Sequence, residues 1–148
     1  MTKTLPLFLL LFTSCGQDLA SPQAHASNEP NAPQFSPSVT ADHKTQWAPS
    51  GKASITPFEQ GGNAFIGKLW LAAGAAVPEH QDETEEYLYI LSGGGDLMIN
   101  GKSYPLKAGS SVYMPAKATV SFKNGDEPLE AIQVFAGPKS AEKYGKWG

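Results

Sequence analysis

Arginine is absent from this chain. Its eleven basic side chains are all lysines, set against fourteen carboxylates, for a net charge of −3 with the histidines neutral. Recognition of phosphates and bases leans on guanidinium forks, so the composition argues against a nucleic-acid partner. Cysteine occurs once, as Cys15, which excludes an internal disulfide. Histidine is scarce, with only His25, His43 and His80. The apolar run from Leu5 to Phe12 is too short to span a bilayer as a stable anchor. No internal repeat is apparent. Turn formers, in contrast, are plentiful: fifteen glycines and twelve prolines in 148 residues predict many turns and few long helices. That length suits one domain with extensions.

Three regions follow from composition. Residues 1–15, MTKTLPLFLLLFTSC, combine a short positive start at Lys3, an apolar stretch and small polar residues, and read as a signal peptide. Cys15 follows Thr13-Ser14 and resembles the lipidated cysteine of bacterial lipoproteins, although Phe12 holds the usual leucine position. That resemblance implies export to the periplasm and a lipid anchor at Cys15 strong enough to hold the protein on a membrane. Gly16, where an aspartate would favour retention, implies the outer membrane of a Gram-negative cell. Residues 16–48 are rich in Ser, Pro, Ala, Asn and Gln and lack apolar runs, so they read as a disordered tether. About 30 residues of coil reach about 30 Å. His25 and His43 fall in it and are expected to be solvated, while Trp47 marks where the chain docks onto the domain.

Residues 49–148 form the expected domain. Short apolar segments at Ala53–Phe58, Asn63–Leu71, Ala75–His80, Glu86–Leu91, Asp96–Asn100, Ser103–Leu106, Ser111–Met114, Thr119–Lys123 and Leu129–Phe135 alternate with glycine-containing turns. Many short strands at near-regular spacing predict an all-β sandwich or barrel. Asn100-Gly101, flanked by Leu97, Ile99, Tyr104 and Leu106, predicts a tight hairpin. The tail from Lys139 is expected to be helical or irregular, with Tyr144 and Trp147 covering an end of the barrel.

The stretch Gly74–Gly93 carries the chemistry. It holds His80 and five carboxylates, Glu79, Asp82, Glu83, Glu85 and Glu86, directly before the apolar run Tyr87–Leu91. In an extended segment His80 and Asp82 share a face. Glu86 joins them from the next strand, after a turn. One imidazole and two carboxylates on one spot can hold a divalent metal or handle a proton. A solvated acidic loop is the plainer alternative. With Glu86 inward, Leu88 and Ile90 also face inward. Tyr87, Tyr89 and Leu91 then lie on the opposite face, and a strand apolar on both sides predicts a second covering layer, a homodimer or another sheet of the same chain.

Two motifs resemble those of the cupin family, a jelly-roll β-barrel. Gly74, His80, Glu86 and Gly93 fit the first motif, with Asp82 in place of its second histidine. Gly109, Pro115 and Asn124 fit the second, with Lys117 in place of its glycine and Val120 in place of its histidine. The resemblance covers roughly residues 51–136 and implies a barrel lined also by Tyr113, Val120 and Gln133. It implies a metal, Mn, Fe or Zn, held in family enzymes by three histidines and a glutamate. Here at most His80, Asp82 and Glu86 remain for one, so weak binding or none is expected. The leading expectation is a small molecule bound in the barrel without metal chemistry. The alternatives are a metal-dependent oxygenase or isomerase using that triad, and a structural module with a packed interior. Fold does not choose between them.

Overall fold

Alternation with period two builds this domain. In the computed structural model, which describes residues 37–148, there are ten strands; nine follow the expected segments closely, and β1 falls in the expected tether. They are β1 (Gln46–Trp47), β2 (Ala53–Gln60), β3 (Phe65–Leu71), β4 (Ala76–His80), β5 (Glu86–Ser92), β6 (Gly94–Ile99), β7 (Lys102–Lys107), β8 (Ser111–Met114), β9 (Val120–Asn124) and β10 (Leu129–Phe135). A 3-10 helix, Pro138–Lys146, ends the chain. The expected signal peptide, Cys15, His25 and most of the expected tether lie outside the described residues.

The strands form two antiparallel sheets, ordered β1-β2-β3-β10-β5-β8 and β4-β9-β6-β7. β10 shows the pattern most plainly: Leu129, Ala131, Gln133 and Phe135 are buried, and the residues between them are not. It lies between β3 and β5, so its inward residues form the floor of the barrel. Three apolar clusters hold the sheets together. They centre on Ile55, Phe65 and Phe135; on Leu71, Ile90 and Leu129; and on Leu97, Met114 and Val120. Burying each such side chain contributes about 1.5–3 kcal/mol.

The hairpin at Asn100-Gly101 forms as expected. Both residues have positive φ, 48° and 80°, the conformation that a two-residue turn matched to strand twist requires. Gly93–Gly95 are less a loop than a packed crossing between the sheets. Gly93 has φ 72°, and Gly94 and Gly95 belong to β6. A Cβ on Gly94 would lie 2.2 Å from the Leu106 carbonyl oxygen.

The described part of the expected tether lies along β2. Gln46 and Trp47 pair with Ile55 and Ser54, the His43 ring sits 4.9 Å from that of Phe58, and the Thr45 and Thr56 hydroxyls are 2.8 Å apart. His43, expected to be solvated, is therefore half-buried against a ring. An unpaired strand edge offers backbone groups that a polar segment can satisfy as well as an apolar one. Trp47 does mark the docking point. Its N–H donates to the Gly148 carbonyl, and the Gly148 N–H donates back. Tyr87, Tyr89 and Leu91 lie on the outer face of β5, each two-fifths to one-half exposed.

Gly94→Ala should lower stability by about 1–3 kcal/mol, because the new methyl meets backbone rather than a side chain that can swing away. Gly145→Ala, whose Cβ would meet nothing within 4 Å, should change it by less than about 0.5 kcal/mol. Urea unfolding of the two variants measures the contrast, and equal midpoints would contradict the packed crossing.

Candidate functional site

His80 ends β4 and Glu86 begins β5, so the loop between them sets their spacing. That loop is tied on three sides. The Lys117 N–H donates to the Asp82 carbonyl (2.7 Å), the Ala136 N–H to the Glu85 carbonyl (2.9 Å), and the Thr84 N–H to Ser140 Oγ (3.3 Å). Lys117 makes its bond with φ 61°, a conformation that favours glycine.

Two chains of polar contacts meet at this end of the barrel. In the first, the buried Glu86 accepts at Oε1 from Gln133 Nε2 (2.6 Å), and Gln133 Oε1 accepts from the Tyr144 hydroxyl (2.7 Å). Glu86 and Gln133 are 6% and 3% exposed. Burial raises the Glu86 carboxyl above its ordinary range, opposed by the Gln133 hydrogen bond and the Lys143 charge. In the second chain, Lys143 Nζ donates to both oxygens of Asp82, at 3.0 and 3.1 Å. Asp82 Oδ2 lies 3.5 Å from His80 Nε2. His80 Nδ1 lies 2.9 Å from the Pro78 carbonyl, which can only accept, so Nδ1 carries a proton and Nε2 is the titrating nitrogen. The Asp82 hydrogen bond raises the His80 imidazole against the cost of burial. Burial would raise the Asp82 carboxyl, but the His80 bond and the Lys143 charge outweigh it and hold it below its ordinary range.

These groups border a cavity of about 700 Å³ between the sheets. Its walls are mainly apolar, with Leu71, Leu88, Ile90, Leu97, Met114 and Val120 among them, and His80, Glu86, Gln133, Lys143 and Tyr144 supply polar groups. The volume is that of a small-molecule site.

Residues 69–135 match the family model for the cupin domain. This barrel has the cupin fold. An RmlC-like cupin from Shewanella frigidimarina shares the fold with a TM-score of 0.63, at 16% identity over 71% of this chain and 93% of its own. A predicted oxalate decarboxylase from Thermotoga maritima gives a TM-score of 0.54 at 28% identity, over 57% of this chain and 80% of its own. Polyketide synthase CurC from Streptomyces cyaneus is 31% identical over 84 residues, 55% of this chain. The match spans about half the length of that relative, 53%.

Cupins often bind a metal, but the donors of this barrel do not fit it. Among the described residues, no three His, Cys, Asp or Glu side chains cluster as a metal site. The expected triad of His80, Asp82 and Glu86 is brought to one end of the barrel, yet Lys143 takes both oxygens of Asp82 and Gln133 takes Oε1 of Glu86. Val120 opposes His80 in the β4–β9 register and offers no lone pair. An ammonium stands where the expected triad would require a cation.

The expected pocket residues Leu88, Ile90, Val120 and Gln133 all line the cavity. Tyr113 does not. It is 51% exposed, stacks on Tyr87 at 5.3 Å, and donates its hydroxyl to Glu85. The cause is register: Tyr113 opposes Tyr87 and Met114 opposes Glu86, and opposed residues share a face. Lys143 escaped the motif-based reading because it lies beyond both motifs. The one hint was its tail, where Ala141, Tyr144 and Trp147 recur at a spacing of three, the period of a 3-10 helix.

The His80–Asp82–Lys143 row predicts opposite titration shifts. Asp82→Asn should lower the His80 pKa, and Lys143→Met should raise it by removing a like charge. Two-dimensional NMR of the imidazole reads both, and shifts of the same sign would refute the row. The sign for stability follows from linkage. The His80 contribution is full below the ordinary imidazole range and fades as pH rises through its raised folded value. The Asp82 contribution is present above the ordinary carboxylate range and fades as pH falls through its lowered folded value.

Proposed function

We propose that this cupin binds a small organic molecule inside its barrel without a metal. The observation that carries the reading is the cavity of about 700 Å³, apolar along its walls and polar where Glu86, Gln133, His80 and Lys143 gather. Such a division suits a ligand with an apolar body and a polar end. The name of the Streptomyces relative supports this, because polyketides combine a carbon framework with oxygen functions.

The neutral fluorescent probe N-phenyl-1-naphthylamine tests the cavity. Wild type should bind it saturably with one site per chain. Leu88→Trp, which fills the cavity, should weaken that binding about tenfold or more while leaving the fold intact by circular dichroism. Binding that is unchanged in Leu88→Trp would place the probe elsewhere and end the barrel reading.

We further propose that the domain is exported and held on a membrane through Cys15. The support is the apolar segment before a lone cysteine, which lies outside the described residues. Cys15→Ser should move the protein from the membrane fraction to the soluble fraction. Wild-type protein already soluble, with a mature N-terminus beyond residue 15, would refute the anchor.

A further inference from the structure

We propose that Lys143 is the fixed cation of this barrel and that it docks an anionic oxygen head group of a ligand whose apolar body fills the cavity. The proposal rests on the reading that the barrel binds a small molecule, and it names the chemistry of that molecule's polar end.

The placement of charge carries it. The charged side chains that line the cavity are Lys52, His80, Glu86 and Lys143. Asp82 is not among them. It sits behind Lys143 and His80 and holds both, with Nζ at 3.0 Å and Nε2 at 3.5 Å. The cavity therefore meets the cations first and their counter-ion second. Glu86 is the one carboxyl in the wall. It is buried, and Gln133 donates to one of its oxygens.

Lys143 is also built to stay in place. Its Nζ lies 4.8 Å from the centre of the Phe135 ring and 5.6 Å from that of Tyr144, both favourable cation–π distances. The Thr84–Ser140 hydroxyl contact at 2.8 Å ties its helix to the β4–β5 loop. The side chain remains 38% exposed and lines the cavity. An ammonium has three donors, and Asp82 as a single partner leaves capacity for an incoming oxygen. Beyond the polar groups gathered at this end the cavity walls are apolar, a setting in which a charge-assisted hydrogen bond gains strength.

Two probes with one body test this. 8-Anilinonaphthalene-1-sulfonate carries a sulfonate that N-phenyl-1-naphthylamine lacks. Wild type should bind the sulfonate at least about tenfold more tightly, the size of one charge-assisted hydrogen bond. Lys143→Met should abolish that preference and leave the neutral probe bound as before. Lys143→Arg should keep it, and Lys52→Met should leave it unchanged. Because Lys143→Met orphans Asp82, the double variant Asp82→Asn/Lys143→Met is measured as well, and it too should bind both probes alike. Equal affinity for the two probes in wild type overturns the head-group assignment while barrel binding stands. So does a preference that survives Lys143→Met or the double variant, or one that is lost only in Lys52→Met. Failure of both probes to bind wild type overturns the barrel reading itself, and this assignment with it.

Discussion

A hollow barrel must satisfy its own interior polar groups, and in this protein that constraint governs one whole end of the molecule. Glu86 is nearly fully buried beside an apolar cavity, where an unpaired carboxylate would be costly. Gln133 answers one oxygen, and Tyr144 answers Gln133 in turn. The partner of Glu86 thus comes from the central strand, and the partner of that partner comes from the terminal helix. The second row repeats the scheme, with Lys143 of the same helix answering Asp82. The C-terminal helix is therefore part of the barrel's polar design, and its apolar anchors, Ala141 and Tyr144, join the cluster around Phe135.

The two cupin motifs are mostly architecture in this chain. Gly93 crosses between sheets at φ 72°, where a side chain would meet the Pro128 carbonyl oxygen at 2.4 Å. Asn124 is buried and donates to the carbonyls of Ala72 and Glu127, tying β9 to the loop after β3. Lys117 stands where the motif has glycine and still adopts φ 61°, because its N–H must reach the Asp82 carbonyl. The backbone demand at that position is met by a residue type that bears more strain there than glycine would. The positions that depart from the motif chemically are Asp82 and Val120. Both lie at the polar end, where Asp82 accepts from the Lys143 ammonium and Val120 offers no lone pair.

Strands, hairpin and inward faces were legible because each depends on local spacing. Alternation gave β10 and β5, Asn-Gly gave the β6–β7 turn, and Glu86, Leu88 and Ile90 followed from a single facing choice. Tyr113 could have been placed by the same rule. Val112 and Met114 are the apolar members of β8, which leaves Tyr113 on the other face. Lys143 could not be placed that way. Its contact with Asp82 spans 61 residues and depends on how a short helix folds back across the barrel, which no local period encodes. The docking of residues 38–47 on β2 was hidden for a related reason. Their composition is that of a tether, and only the free edge of a sheet elsewhere in the chain gives them a partner.

An ammonium and a divalent metal give such a pocket different capacities. A divalent cation gathers several ligands at once and polarises a substrate through open coordination positions. An ammonium offers directed N–H donors, keeps one carboxylate in its grip and leaves little more than one direction for a guest. It can orient an oxygen and stabilise negative charge there, and it cannot template two ligands around a common centre. The neighbouring imidazole is held by the Asp82 carboxylate on one side and the Pro78 carbonyl on the other, so its proton is fixed in direction as well. On the proposed reading, the polar end of this barrel recognises one head group by position and charge. The apolar walls, which lack such directionality, leave the shape of the remaining ligand to packing.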